Sequence, residues 1–366
     1  MDPRVEKLAS VLVNHCLDVA PEEWVAIVAQ VPGEPLAIAC TGAVLEAGGH
    51  PTVELASEVV HETVLRDGND AQLQFVSPFT RLRWEQAGAN IQIRAPQNSR
   101  SLSSVDPSRM ALENKAQEPL LEIYMRRFIA EPGNLVITEY PTHSAAQDAG
   151  MSLRQYEDFV FRAMLLTEPD PVAAWRLQGE RQQRLVDWLQ DKSEVHVTGP
   201  GTDLRLNVAG RTWINDDGHL NFPGGEVFTS PHEDSVEGVV TFNVPGFYQF
   251  REVTGVRLRY EGGKVVDADA SGNEEFLQEM LGVDEGARRL GEFAFGTNPN
   301  IRQVTHNVLF DEKIGGTLHM ALGAAYPETG GTNTSALHWD IVYDLRNGAE
   351  VTIDGQAFYR DGEIAV

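Results

Sequence analysis

The feature that most constrains the fold is an alternation of short apolar runs with amphipathic stretches in the first half of the chain. Residues 24–30 (WVAIVAQ) form a continuous apolar run, which is typical of a strand buried on both faces. Residues 5–19 and 35–47 carry apolar side chains at helical spacing. Further apolar segments alternate with helical stretches and lie at 51–55, 91–93, 111–128, 135–137 and 171–189. This order predicts an α/β fold in which helices cover a mostly parallel sheet.

The pattern changes after residue 193. Short strand-like runs follow one another with glycine turns between them, at 195–198, 203–208, 236–242 and 253–260. A length of 366 residues is enough for about two domains. We therefore predict an N-terminal α/β domain at residues 1–190 and a β-rich α+β domain at residues 191–366.

The charge of the chain excludes some classes of partner. Asp and Glu number 54 against 29 Lys and Arg, which gives a net charge of -25. Nucleic acid and anionic membranes are therefore not expected as partners, because both require a basic face. The chain has two cysteines, no apolar leader at its beginning and no apolar run long enough to span a membrane. These features favour a cytoplasmic location.

Two glutamates stand in unusual surroundings in the second half. Glu226 follows a glycine pair in NFPGGEVFTSP, where a turn would deliver it to the start of a strand. The alternative is a solvated glutamate in a hairpin. Glu292 lies within the apolar run LGEFAF. A carboxylate in such a run is paired, bound to a metal, or directed outward from an edge strand, because burying it alone costs several kcal/mol.

Histidines occur in similar apolar settings. In LHWDIV, His338 and Asp340 would project from the same face of a strand. Such a pair can bind a divalent metal, act in acid–base chemistry or form a surface salt bridge. His319 in TLHMALG is a metal ligand or a core histidine, and Tyr326 in AAYP could pack in the core with its hydroxyl at an edge.

Together these segments point to a metal centre. Three carboxylates and two imidazoles are too many ligands for one catalytic zinc ion, which takes three protein groups. They suit two divalent ions that share a bridging carboxylate, and three carboxylates with one hydroxide would neutralise the charge of two such ions. Paired ions of this kind serve hydrolysis in aminopeptidases and phosphatases.

The same segments resemble a known family. NFPGGEVFTSP, the isolated LGE, NVLFDEKIGGTLHMALGAAYP and the closing HWD are similar to motifs of the aminopeptidase T family of metallo-aminopeptidases. The N-terminal pattern, with WVAIVAQ and a helix that ends in EAGGHP, also resembles the first domain of that family. The resemblance extends over nearly the whole chain.

The resemblance implies roles for individual residues. The metal ligands would be Glu226, Glu292 as the bridge, His319, His338 and Asp340. Tyr326 would match the family's active-site tyrosine, a candidate oxyanion donor. Glu312, in LFDEK, would be either a sixth ligand or the general base.

The resemblance also implies the reaction and the assembly. Two divalent ions, of zinc, cobalt or manganese, would assist hydrolysis of the first peptide bond of short peptides that carry a free α-amine. The family is dimeric, with its catalytic groups facing an enclosed cavity, so a homodimer is expected.

Two other functions are compatible with the sequence. A ring-cleaving non-heme iron dioxygenase related to the family would use His319, His338 and Asp340 as an iron-binding triad. A non-catalytic family member that binds peptides would have lost ligands, and the expected ligands are all present here.

Overall fold

Residue packing divides the chain into two compact units. In this computed structural model, residues 2–129, 133–249, 251–360 and 362–365 are described. One unit comprises Met1–Ala174 and Gly218–Pro223, and the other comprises Trp175–Asp217 and Gly224–Val366. The packing therefore divides at Ala174, within a helix, and the domain boundary near residue 190 stays a prediction.

The first unit is built on a five-stranded sheet in which every pairing is parallel, in the order β2-β1-β3-β4-β8. With labels that follow chain order, its strands are Trp24–Gln30 (β1), His50–Ala56 (β2), Ala89–Arg94 (β3), Leu135–Glu139 (β4) and Asn221–Phe222 (β8). The helices associated with it are Pro3–Val11 (α1), Glu34–Glu46 (α2), Glu58–Asp67 (α3), Asp70–Leu73 (α4), Pro78–Gln86 (α5), Pro107–Tyr124 (α6), His143–Asp148 (α7) and Leu153–Ala163 (α8). The predicted α/β class with a parallel sheet is confirmed.

Burial explains why the first apolar run forms an inner strand. Val25, Ala26 and Ile27 of β1 are consecutive and all buried, so both faces of this strand are covered. The neighbouring strand β2 lies at the edge of the sheet, and most of its residues are exposed. Its apolar side chains Val53 and Leu55 therefore remain on the surface.

The second unit is dominated by antiparallel strands. Its strands are Glu194–Gly199 (β5), Thr202–Asn207 (β6), Ile214–Asp216 (β7), Glu226–Thr229 (β9), Glu237–Thr241 (β10), Gly246–Tyr248 (β11), Arg251–Val253 (β12), Arg257–Glu261 (β13), Lys264–Asp269 (β14), Leu290–Gly296 (β15), Thr317–Gly323 (β16), His338–Asp344 (β17), Glu350–Ile353 (β18), Gln356–Arg360 (β19) and Glu363–Ile364 (β20). The remaining helices are Pro171–Leu189 (α9), Glu274–Leu281 (α10) and Val308–Asp311 (α11).

These strands form an eight-stranded sheet, β14-β13-β10-β6-β5-β18-β19-β20, a five-stranded sheet, β17-β16-β15-β9-β7, and a ribbon of β11 and β12. The strand predicted at 253–260 is divided between β12 and β13. The division falls at Gly255, which adopts a left-handed backbone conformation with φ of 61° that ends an extended strand.

One apolar core joins the two large sheets of the second unit. Phe293 and Phe295 of β15 pack in the same cluster as Leu258 of β13 and Val351 of β18, and all four side chains are fully buried. The five-stranded sheet thus presents one face to this core, which leaves its other face for polar residues. Among the described residues, the helices are too short or too polar to cross a membrane.

Candidate metal centre

The site lies on the face of the five-stranded sheet that is turned away from the core. Successive side chains of a strand point to opposite faces. Phe293, Leu318 and Trp339 belong to the core cluster, so their chain neighbours Glu292, His319 and His338 or Asp340 project from the other face. Alternation along three strands therefore gathers the polar residues on one surface.

Strand register places these residues beside each other. Ala321 of β16 pairs with Glu292 of β15 on one side and with Asp340 of β17 on the other. His319, two residues earlier on β16, lies on the same face and pairs with Ala294. Because the side chain of Ala321 is small, it leaves space between Glu292 and Asp340. The longer side chains on this face can meet in that space.

Glu226 enters the same surface from the adjacent strand β9. It is the first residue of that strand and lies opposite Gly296 of β15. Gly225 precedes it with φ of 128°, and a Cβ atom there would lie 2.7 Å from the Cβ atom of Asn298. A residue with a side chain would be strained at this position, so glycine is required for the turn that delivers Glu226.

The polar side chains approach one another closely in two groups. In the first group, the His319 Nε2 atom lies 3.3 Å from Glu226 Oε2 and 3.3 Å from Glu292 Oε1. In the second group, the His338 Nε2 atom lies 3.4 Å from Glu292 Oε2 and 3.5 Å from Asp340 Oδ2. In each group three potential ligand atoms lie within 4.8 Å of one another, and Glu292 belongs to both groups.

Backbone carbonyls orient both imidazoles. His319 Nδ1 lies 3.2 Å from the carbonyl oxygen of Glu312, and His338 Nδ1 lies 2.9 Å from that of Ala324. Because a carbonyl oxygen only accepts hydrogen bonds, each Nδ1 carries the proton and donates it. In the neutral imidazole the Nε2 lone pair then faces the carboxylates, which is the usual arrangement of a histidine that binds a metal.

The two remaining predicted residues lie at the margin of these groups. The Tyr326 hydroxyl is 3.5 Å from His338 Nε2, and the Tyr326 ring packs against that of Phe228. Glu312 follows α11 and supplies the carbonyl that holds His319. All seven residues singled out from the sequence therefore lie in one region of the second unit.

Two charged residues of this region are missed by the sequence reasoning. Lys313 is fully buried, and its Nζ atom lies 3.1 Å from Glu226 Oε1 and 3.4 Å from Asp216 Oδ2. Asp216, in NDDG, looks like a turn residue in the sequence, but it ends β7 opposite Glu226. The only sequence signal for Lys313 is a lysine that directly follows Asp311 and Glu312, between the apolar run VLF and the glycine pair of NVLFDEKIGG.

Burial and proximity shift the acid–base properties of the cluster. Burial by itself would raise the pKa of Glu292, but hydrogen bonds from His319 and His338 outweigh it and lower the pKa to about 2. Burial would lower the pKa of both histidines, yet their carboxylate partners raise it to about 10. Burial raises the pKa of Asp340 and of Glu312. The charges of neighbouring carboxylates raise these two pKa values further, so the carboxyl groups are too crowded to ionise together without a cation, and the imidazoles retain protons that a cation would displace.

The donor set fits divalent metal ions. The region contains five carboxylates, and within the described part of the chain the cationic groups that contact them are Lys313 and the two imidazoles. The buried oxygens Glu226 Oε2 and Asp340 Oδ1 have no hydrogen-bond partner among the described residues. Buried anionic oxygens that lack donors require a cation, and imidazole nitrogen with carboxylate oxygen is a ligand set that divalent ions accept.

Paired groups that share a carboxylate are found in two-metal hydrolases. The fold and the site thus define a metal-dependent hydrolase. Comparison with known families specifies which one: the profile of the thermophilic metalloproteases, M29, matches residues 1–364, so the chain belongs to that family.

Individual relatives agree with this assignment. Aminopeptidase 2 of Geobacillus stearothermophilus is 31% identical, over 88% of this chain and 89% of its own length. Aminopeptidase T of Thermus aquaticus is 36% identical, over 54% of this chain and 53% of its own. The solved structure of wild-type AmpT from Thermus thermophilus superposes with a TM-score of 0.85 at 24% identity, over 100% of this chain and 99% of that one. The predicted family and enzyme class, a metallo-aminopeptidase, are confirmed, and the family implies a divalent metal.

Proposed function

We propose that this metallo-aminopeptidase removes N-terminal residues from short peptides with the aid of two cocatalytic divalent ions. The observation that carries the proposal is that Glu292 contributes one carboxylate oxygen to each of two ligand groups. A carboxylate with both oxygens committed in this way suits a bridge between two ions.

The ligands follow from the two groups. We assign Glu226, Glu292 and His319 to one ion, and Glu292, His338 and Asp340 to the other. Mixed nitrogen and oxygen ligands accept zinc, cobalt and manganese, so any of these ions suits the site. When bound, the ions would supply Lewis acidity toward a peptide carbonyl and would lower the pKa of a water molecule.

The chain's own residues perform the remaining steps. Glu312 belongs to neither group, which favours its role as the general base that passes a proton from water to the leaving amine. The Tyr326 hydroxyl, which lies next to His338, would donate a hydrogen bond to the carbonyl oxygen of the substrate as negative charge develops there. Burial raises the pKa of Tyr326, so its hydroxyl keeps the proton it must donate.

The dioxygenase alternative is not favoured by the geometry. An iron triad would require His319, His338 and Asp340 to converge on one ion. Among the described residues, the two histidines fall in different ligand groups. A non-catalytic role is also not favoured, because all the expected ligand residues come together.

The proposal is tested with purified protein loaded with Zn²⁺, Co²⁺ or Mn²⁺. The loaded protein should bind two ions per chain and release the N-terminal residue from unblocked short peptides, and a chelator should abolish the release. The same peptides with an acetylated N-terminus serve as the matched control, because an aminopeptidase requires the free amine. Binding of fewer than two ions, or equal cleavage of acetylated peptides, would contradict the proposal.

We further propose that the protein is a homodimer in which the first unit contacts a second copy. Among the described residues, fifteen large apolar side chains are exposed, and eleven of them lie between Val31 and Leu82. Phe79 is 81% exposed and Phe75 is 66% exposed. Apolar residues gathered in one stretch are typical of a covered surface. A second copy is the occupant that the family resemblance implies for this surface.

Light scattering combined with gel filtration tests the dimer. The wild type should have twice the mass of one chain, and Phe79→Asp should shift it to the mass of one chain. Leu177→Asp, which changes an exposed apolar residue of the second unit, is the control and should leave the mass unchanged. A wild-type protein with the mass of one chain would refute the proposal.

We also propose a cytoplasmic location. Cys16 and Cys40 are both buried, which suits a reducing compartment where structural disulfides are rare. Fractionation of the source cells, with activity assayed in each fraction, tests this location.

A further inference from the structure

A buried lysine lies behind the ligand groups. The Lys313 side chain is completely buried, and its Nζ atom contacts three carboxylates: Glu226 Oε1 at 3.1 Å, Asp216 Oδ2 at 3.4 Å and Glu312 Oε2 at 3.5 Å. An ammonium group has three donors and no acceptor, so three carboxylates can use its full hydrogen-bonding capacity. A lysine is rarely buried unless its charge is paired in this way.

The fold places this lysine between two carboxylates that would otherwise repel each other. Asp216 on β7 and Glu226 on β9 are directly paired across the two strands. Like charges in directly opposed positions destabilise a sheet. Lys313 reaches both, and the Gln182 side chain donates to the backbone carbonyls of both at 2.9 and 3.1 Å.

The backbone of the lysine segment is fixed as well. The carbonyl of Lys313 accepts a hydrogen bond from Asn298 N at 3.0 Å, and Gly315 N donates to Asn298 O at 2.9 Å. These bonds anchor the segment beside the end of β15, next to Glu226. The ammonium group is therefore fixed both by the backbone hydrogen bonds of its segment and by its carboxylate partners.

This arrangement gives the two oxygens of Glu226 different surroundings. Oε1 accepts the hydrogen bond from Lys313. Oε2 has no hydrogen-bond partner among the described residues and faces His319 Nε2 at 3.3 Å. A single firm hydrogen bond to one oxygen of a carboxylate restricts rotation of the group and so directs the other oxygen.

We propose that Lys313, held by Asp216, is a positioning residue that directs Glu226 Oε2 into the ligand group formed with Glu292 and His319. The other ligand group, of Glu292, His338 and Asp340, has no contact with Lys313. Lys313 thus supports one of the two ions selectively. This inference rests on the proposed two-ion function and deepens it.

The test is Mn²⁺ binding to Lys313→Met, measured by calorimetry and by electron paramagnetic resonance. Partners of metal ligands contribute about 10- to 100-fold to metal affinity. We expect the variant to bind one Mn²⁺ with an affinity within about threefold of the wild type and the other at least 10-fold more weakly. With Mn²⁺ one equivalent in excess of the two sites, the wild type should show the spectrum of a coupled Mn²⁺ pair, and the variant should show that of isolated Mn²⁺.

The matched control is Lys264→Met, which removes the same charge from a surface ion pair with Glu285. It should bind both ions as the wild type does. Asp216→Asn provides a second test if Lys313→Met does not fold, and it should weaken the same ion selectively but less strongly.

Different results separate the possible failures. If the wild type binds two ions, and Lys313→Met and Asp216→Asn bind both with unchanged affinity, the inference is overturned while the proposed function stands. Tighter binding by Lys313→Met would also overturn it, because the lysine would then act by repelling the ion. An equal loss of affinity for both ions would show that Lys313 has a general structural role and would overturn the proposed selectivity. A wild type that binds fewer than two ions would refute the proposed function itself.

Discussion

Replacement of Glu292 by Gln is the most direct test of the shared carboxylate. The substitution keeps the shape of the side chain and removes its charge from a position 3.3 Å from His319 Nε2 and 3.4 Å from His338 Nε2. Because Glu292 belongs to both ligand groups, the loss should affect both ions, whereas the loss of any other ligand affects one.

Coulomb's law gives the size of the effect. At an effective dielectric constant of about 20, two divalent ions about 4 Å apart repel each other by about 17 kcal/mol. A bridging carboxylate about 2 Å from each ion attracts each by about the same amount. Without this charge Glu226 and Asp340 still attract one ion each, but the one protein carboxylate that attracts both ions is lost, so Glu292→Gln should retain at most one ion per chain. We expect turnover to fall by at least about 1000-fold, or about 4 kcal/mol in the activation free energy.

The assay combines metal analysis after gel filtration with cleavage of an unblocked peptide. Far-ultraviolet circular dichroism should confirm that the variant is folded. Glu285→Gln, a change of the same kind at a side chain that is 83% exposed, is the matched control and should keep both ions and full activity. A folded Glu292→Gln protein that carries two ions and turns over substrate normally would refute the two-ion assignment.

Three further predictions concern other parts of the second unit. Tyr326→Phe should retain both ions but lower kcat about 100- to 1000-fold, as measured by steady-state peptide cleavage, because it removes a donor to the developing oxyanion; full activity would exclude that role. Burial raises the pKa of Asp311 to about 6, despite hydrogen bonds from Thr305. Because the folded protein then binds more protons than the unfolded chain between about pH 4 and pH 6, this group lowers stability as the pH rises. Asp311→Asn should therefore gain up to about 3 kcal/mol relative to the wild type between pH 4 and pH 7 in urea denaturation, and a constant difference would contradict the assignment. Phe295→Ala removes a fully buried ring that stacks on Trp213, and it should cost about 3 to 5 kcal/mol of unfolding free energy by the same method, with a loss below 1 kcal/mol counting against the proposed core.

Much of the local structure follows from short-range pattern. The run WVAIVAQ forms β1 because a strand of its length and composition is stable when both faces are covered. His338 and Asp340 share a face because a strand alternates with a period of two. The strand predicted at 253–260 was wrong in its continuity, since Gly255 adopts a left-handed conformation where the chain passes from the ribbon of β11 and β12 to β13 of the eight-stranded sheet.

Strand register was not predictable from the chain alone. The contact between Glu292 and Asp340 depends on Ala321 of the intervening strand, which is paired with both. Lys313 and Glu226 are 87 positions apart in the chain, and neither sequence segment indicates a contact with the other. The sequence around Asp216 is typical of a turn, and only the pairing of β7 with β9 shows that Asp216 lies opposite Glu226.

The sequence by itself determined the α/β and β-rich halves, the family and the candidate site residues, because these depend on periodicity and on motifs of a few neighbouring residues. The tertiary structure decided how those residues are grouped. It divided five expected ligands into two sets that share Glu292, and it added Lys313 and Asp216 to the same cluster. The physical reason is that a metal centre depends on distances of a few ångströms between side chains from separate strands, and only the register and packing of those strands set such distances.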